Sequence, residues 1–208
     1  MTEIMVIPWG DEYCNNILDS ATLNDLDIQK IGFDNPGVCF IERDAAETNK
    51  DFKQLIPYCV VRFEDQVLSY SRGPTLGEER LHGKFSIGFG GHVDKTDIDE
   101  HNGIIDVFSN NKSEAIERTF YLALERELEE ELGLTGDYYY IERQILIDNQ
   151  TDVGKVHLGV WYDVYVSDVN DVSPKESGIQ NFEWKSIQDL KENVDNYENW
   201  SRFCISGL

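Results

Sequence analysis

The chain has no long apolar run. Nothing in its 208 residues approaches the roughly 20 consecutive apolar positions that a bilayer-spanning helix needs, so no membrane partner is expected. Its opening, MTEIMVIPWGDEYC, lacks the basic start of a secretory signal, which makes a cytoplasmic location the expectation. Basic residues are scarce: Lys and Arg total 18 against 40 Asp and Glu, a formal net charge of -22. A broad nucleic-acid surface requires clustered Lys and Arg, and a surplus of negative charge repels the phosphates of DNA or RNA. Nucleic acid is therefore not an expected partner. Cysteine is sparse as well. Cys14, Cys39, Cys59 and Cys204 lie far apart, without the close pairing of thiolate metal sites or redox dithiols, and reduced, mostly buried thiols follow. Internal repeats and low-complexity segments are absent.

What the chain does have is an apolar fraction of 40%, enough for one substantial core at this length. It also has carboxylates in quantity. An acidic protein can bind phosphate compounds when a metal ion inverts the local field, so the places where carboxylates cluster carry the functional reading.

Ile4 to Pro8 reads as a short strand, and Ser20 to Lys30 as a short capped helix or a loop. From Leu55 the signals sharpen. Ile56 to Phe63 and Gln66 to Tyr70 are β-rich runs separated by Glu64-Asp65, which predicts a hairpin. Lys84 to Val93 reads as a strand running into Gly90-Gly91, a pair that permits positive φ and close backbone approach to a ligand. The clearest helix opens after Asn111, with Glu114 as a capping partner. It keeps a helical period through Ala115, Ile116, Thr119, Leu122, Ala123, Leu128 and Leu132 until Gly133 ends it. Tyr138 to Ile147, Val156 to Val166 and Phe182 to Trp184 read as strands, and Ser186 to Glu192 as a final helix capped by Ser186. Strands before and after a long central helix predict an α/β sandwich with a mixed sheet.

On the long helix, Glu127, Glu130 and Glu131 stand at i, i+3 and i+4, three carboxylates on one stripe. Like charges so placed destabilise an isolated helix, and a hard cation is one reason to keep them; Mg²⁺ or Mn²⁺ suits such oxygen ligands. A solvated acidic face is the alternative that spacing alone leaves open. The full string Arg126-Glu127-Leu128-Glu129-Glu130-Glu131-Leu132-Gly133-Leu134 decides between them. It resembles the second half of the Nudix box at every fixed position, and Gly90-Gly91-His92-Val93-Asp94 resembles the glycine turn that opens the same box.

The resemblance covers roughly residues 56 to 190 and implies an α/β/α sandwich of the Nudix type with a mixed sheet. Residues 1–55 are then an amino-terminal extension, packed on the main domain or pairing subunits as a homodimer, and 56–208 the hydrolase domain. The resemblance also implies a metal-dependent pyrophosphohydrolase. Its substrate would be a nucleoside diphosphate linked to another moiety, cut at the diphosphate. Glu127, Glu130 and Glu131 would hold Mg²⁺ or Mn²⁺, the carbonyl of Gly91 would add a ligand, and Arg126 would orient a helix carboxylate. The base that activates water would come from the helix or a later loop, with Glu176 the first candidate and Glu183 the second. Arg72, Arg80 and Lys84, which flank the glycine turn, and His92 within it are candidates for contact with substrate phosphates, against ordinary surface or structural roles. Tyr138 to Tyr140 and Trp161 are candidates for stacking on a base, against packing in the core.

One departure stands out. Asp97 takes the place of the box's first glutamate but lies 29 residues before Arg126, far beyond the family's spacing, so the box holds an insertion. Asp97, Glu114 and Glu117 all remain candidates for that role. The insert, 94–110, is expected to form part of the wall of the substrate pocket. A fold of this type that has lost turnover and serves as a nucleotide-binding regulatory module is the alternative function.

Overall fold

The computed structural model describes residues 2–10, 37–73, 83–98, 112–135 and 137–208. The expected helix at Ser20 to Lys30, the candidate Arg80, Cys14, the Asn111 cap and most of the insert lie outside them. Among the described residues the elements run β1 (Glu3–Pro8), β2 (Cys39–Glu42), α1 (Arg43–Ala46), β3 (Phe52–Phe63), β4 (Gln66–Arg72), β5 (Phe85–Ser86), β6 (Gly88–Phe89), α2 (Lys112–Leu132), β7 (Tyr138–Leu146), β8 (His157–Val166), β9 (Ile179–Ser186), α3 (Ile187–Glu192) and α4 (Asn199–Gly207). The architecture is α/β, a mixed sheet with helices. No helix among them is long and apolar enough to cross a membrane.

The chain clusters into two compact units. The first gathers residues 1–57, 91–125 and 144–160, and the second 58–90, 126–143 and 161–208. In the first unit β1 pairs antiparallel with β2 through Glu3↔Glu42 to Val6↔Cys39, and with β3 through Val6↔Gln54 to Pro8↔Phe52. Ile4, Val6 and Ala46 form a small core there with Cys39, Ile41 and Phe52. The described part of residues 1–55 is thus joined to β3 by a strand ladder. Lys53 in this ladder is fully buried, and its ammonium donates to the carbonyls of Gly154, Lys155 and His157 at 2.7, 3.2 and 3.2 Å. Three acceptors replace the water that burial removes, which is the condition for keeping a charge inside.

In the second unit the expected hairpin forms, with Glu64 at φ 53 in the two-residue turn and β3 meeting β4 at Arg62↔Val67. β4 is flanked by β5 and by β9, the latter through Gln66↔Ser186 to Arg72↔Ile179, while β6 lies on β3 at Cys59↔Phe89. The continuous strand expected from Lys84 to Val93 is instead two short pieces. Two serine hydroxyls explain the break. Ile87 donates its N–H to Ser201 Oγ at 3.0 Å and Gly88 to Ser86 Oγ at 3.1 Å, so these amides leave the ladder. Only glycine fits at 88, because a Cβ there would lie 1.9 Å from the Tyr58 ring.

α2 follows the sequence expectation closely. Ile116, Thr119, Phe120, Ala123, Leu124, Leu128 and Leu132 are buried at helical spacing. Gly133 adopts φ +65 and donates to the Glu129 carbonyl at 2.9 Å, which closes the helix. Ser186 caps α3 by accepting from Asp189 N–H at 3.1 Å. The last helix, α4, was not anticipated. Its signal was present in Glu198, whose carboxylate accepts from the N–H groups of Trp200 and Ser201, both at 2.8 Å.

Candidate active site

Within the second unit, the carboxyl half of α2, the glycine turn after β6 and the loop leading to β9 converge. Glu131 is the hub. Its carboxylate accepts from Gly90 N–H at 2.8 Å, and Gly90 can present that amide because it holds φ 136, a conformation that side chains resist. The loop before β9 sits on the helix end: Ser173 N–H donates to Leu132 O and Lys175 N–H to Glu131 O, both at 2.8 Å. Gly133 allows this seat, since a Cβ there would lie 3.3 Å from the Ser173 carbonyl and 2.8 Å from Lys175 Cε.

That seat brings Glu176 within electrostatic reach of Glu131. Burial first, then the Glu127 carboxylate and that of Glu176, push the Glu131 carboxyl well above the usual range, against the Gly90 hydrogen bond and the Arg72 charge, which pull it down. Cys59, one strand inward, feels the same field. Its thiol is raised by burial and by Glu131 and Glu127. The Arg72 guanidinium donates to Tyr70 Oη at 3.2 Å, and its Nε is buried with no hydrogen-bond partner among the described residues. A buried guanidinium donor without an acceptor, beside a carboxylate group, is what an anionic ligand would satisfy.

Arg126 bonds Glu127 Oε1 at 2.7 Å and Glu130 Oε2 at 3.0 Å. The two glutamates differ in setting, for the Glu127 side chain is 14% exposed and that of Glu130 62%. Glu127 and Glu131 therefore face the convergence, and Glu130 lies at its rim. Hard oxygen donors whose mutual repulsion grows on burial fit Mg²⁺ or Mn²⁺, which relieves that repulsion.

The other sequence candidates have surroundings of their own. Gly91 follows Gly90 in the turn. Lys84 is exposed, and it is the Lys84 carbonyl that accepts from Arg72 N–H, at 3.0 Å. His92 belongs to the first unit, where its Nε2 meets Gln54 Oε1 at 2.7 Å. Asp97 is buried, and its carboxylate accepts from Asp94 N–H at 2.7 Å in the capping box of a single 3₁₀ turn. Glu183 is held by Lys185 at 2.6 Å. Trp161 is buried, with Nε1 on Asp163 at 3.0 Å, while Tyr139 is exposed and stacks on Tyr165 at 4.9 Å. Sequence reasoning missed Gln54 and Lys53, whose polar character inside an apolar strand was the available signal. It also missed Glu47, which nothing in the sequence marks.

No family model matches the chain. Among solved structures, Tm1382, provisionally assigned to the Nudix hydrolases by its description, superposes with a TM-score of 0.66 at 21% identity, covering 98% of this chain and 96% of that one. DR0079 from Deinococcus radiodurans gives 0.55 at 15% identity over 83% and 92%. The Nudix domain of Shewanella oneidensis NrtR, solved with ADP-ribose, gives 0.50 at 15% identity over 74% and 83%. These likenesses establish the Nudix fold. Protein YmaB of Bacillus subtilis (strain 168) is 32% identical over 172 residues, which cover 81% of this chain and 77% of YmaB. On that relationship the chain belongs to the family of YmaB, built on a Nudix fold.

Proposed function

We propose that this protein is a Nudix-type hydrolase, dependent on Mg²⁺ or Mn²⁺, that cleaves the diphosphate linkage of a nucleoside diphosphate joined to another moiety. The observation that carries the reading is the convergence on Glu131 of the Gly90 amide and the loop that bears Glu176, with a buried Arg72 Nε that has no hydrogen-bond partner among the described residues. ADP-ribose in the NrtR domain, a neighbour in fold, supports the substrate class.

Glu127 and Glu131 would hold the ion, with Glu130 at the rim. The chemistry that a divalent ion would supply there is neutralisation of charge on the phosphate oxygens and activation of water. The chain supplies the rest. Arg72 donates to a phosphate oxygen through its buried Nε. Arg126 fixes the rotamers of Glu127 and Glu130, and Gly90 N–H fixes that of Glu131, so ligands are oriented before substrate arrives. Glu176, on a loop tied to the helix end by two backbone bonds, accepts the proton of the attacking water. The water oxygen bonds to phosphorus as the bond from phosphorus to the bridging oxygen breaks, and two phosphate-bearing fragments leave. Lys84 remains a candidate for contact with the substrate's outer phosphate.

A panel of nucleoside triphosphates, dinucleotides, ADP-ribose and nucleotide sugars, incubated with Mg²⁺ or Mn²⁺ and resolved by chromatography, tests the reading. The expected products are pairs of phosphate-bearing fragments formed only with metal. Binding of these nucleotides without turnover would instead favour the regulatory module.

A further inference from the structure

Glu47, His92 and His157 come together in the first unit, with one ligating atom from each within 4.8 Å of the other two. None of the three carboxylates on α2 takes part. Glu47 directly follows α1, His92 follows the glycine turn and His157 opens β8. We propose that this cluster is a second metal site, one that binds a transition-metal ion of the Zn²⁺ type and clips these three segments together.

Two imidazoles and one carboxylate are a donor set suited to Zn²⁺ and its neighbours, whereas Mg²⁺ prefers oxygen alone. The rings are also held as metal-ligating rings are held. His157 Nδ1 lies 2.8 Å from the Val153 carbonyl. A carbonyl only accepts, so this nitrogen carries the proton and the lone pair belongs to Nε2. His92 Nε2 lies 2.7 Å from Gln54 Oε1, a bond that assigns its proton to Nε2 and its lone pair to Nδ1. The two rings pack at 5.5 Å between centroids.

Gln54 supplies an independent observation. It is fully buried, and its Nε2 has no hydrogen-bond partner among the described residues. An orphaned amide donor beside the cluster is a cost that a further acceptor, such as a ligand completing a four-coordinate ion, would remove. Lys53 ties down the backbone that carries one ligand, through its bond to the His157 carbonyl at the head of β8. The ligands lie 45 and 65 residues apart in sequence, and an ion joining them would close long loops, where a cross-link removes most chain entropy.

Full-length protein freed of affinity tag and stripped with chelator provides the test. Excess Mg²⁺ is added to fill the carboxylate site. Co²⁺ is then titrated while visible absorption is followed, and Zn²⁺ is used to displace it. The expected result is a tetrahedral Co²⁺ band in the wild type that Zn²⁺ abolishes. Glu47→Gln and His157→Gln should weaken binding at least about tenfold, while Glu127→Gln/Glu130→Gln/Glu131→Gln leaves it unchanged. Glu47 is only half-buried, so its variant decides the matter if His157→Gln fails to fold. Absence of the band, its persistence in Glu47→Gln, or its loss in the triple variant alone would overturn the proposal and leave a cluster held by hydrogen bonds only.

Discussion

The carboxylate group on α2 and the histidine cluster of the first unit are both convergences of ligand-type side chains, yet they were assembled in opposite ways. Glu127, Glu130 and Glu131 come from two turns of one helix, so their mutual approach follows from the period of α2. Glu47, His92 and His157 come from three separate segments and meet only because β1, β3 and the head of β8 are in place. The first group offers oxygen alone; the second offers mostly nitrogen. A helix motif would thus specify the proposed hard-cation site locally, while the proposed imidazole site would depend on tertiary structure, and substitutions should separate the two.

The largest expected effect falls on Glu131. Glu131→Gln keeps an acceptor for Gly90 N–H but removes the charge that would hold the ion. We expect kcat to fall at least about 100-fold in a variant that still folds. Wild-type turnover in this variant with Mg²⁺ would remove α2 from the reaction.

Ligand linkage gives the next effect. Mg²⁺ or Mn²⁺ should raise the melting temperature of metal-free protein, by about 2.7 kcal/mol of stability when free ion reaches roughly 100 times its Kd. The shift should vanish in Glu127→Gln/Glu130→Gln/Glu131→Gln. An equal shift in that variant, read by differential scanning, would place the hard cation elsewhere.

A smaller effect concerns pH. Burial and the Glu127 carboxylate raise Glu131 above the ordinary glutamate range, so the folded protein keeps this proton at pH values where the unfolded chain has lost it. Between the ordinary value and the raised one, the folded state binds more protons, and metal-free protein therefore loses stability as pH rises through that window. Glu131→Gln should flatten the slope. Melting temperatures recorded in chelator across the weakly acidic to neutral range will show whether the two proteins diverge; parallel curves would mean that Glu131 titrates normally.

The same contrast explains what the sequence could reveal. Repeating patterns were legible: the apolar period of α2, the hairpin around Glu64-Asp65, the Ser186 cap and the string from Arg126 to Leu134. Each is written in neighbouring residues. The break at Ile87 was not legible, because Ser201, which takes its amide, lies more than a hundred residues away. Nor was the placement of Glu176, which depends on the Lys175 and Ser173 amides reaching the end of α2. His92 read from sequence as a phosphate contact by its nearness to the glycine pair. Its bond to Gln54 and its proximity to His157 depend on a strand register that no local pattern encodes.

The smallest expected effect, close to zero, is the sharpest test of the separation. Glu47→Gln removes the one carboxylate of the histidine cluster at a half-buried position beyond the end of α1. Its ion pair with Arg43, at 3.8 Å between partly exposed groups, is of the kind worth only about 0–1 kcal/mol. Substitution should therefore leave kcat and KM with saturating Mg²⁺ within about twofold of wild type and shift the metal-free melting temperature little. Its one marked consequence should be the loss of stabilisation by Zn²⁺, because a ligand that binds only the folded state raises stability through that binding alone. A comparable loss of Mg²⁺-dependent turnover in Glu47→Gln would show that the two groups act as one site. An unchanged Zn²⁺ shift would show that Glu47 is no ligand.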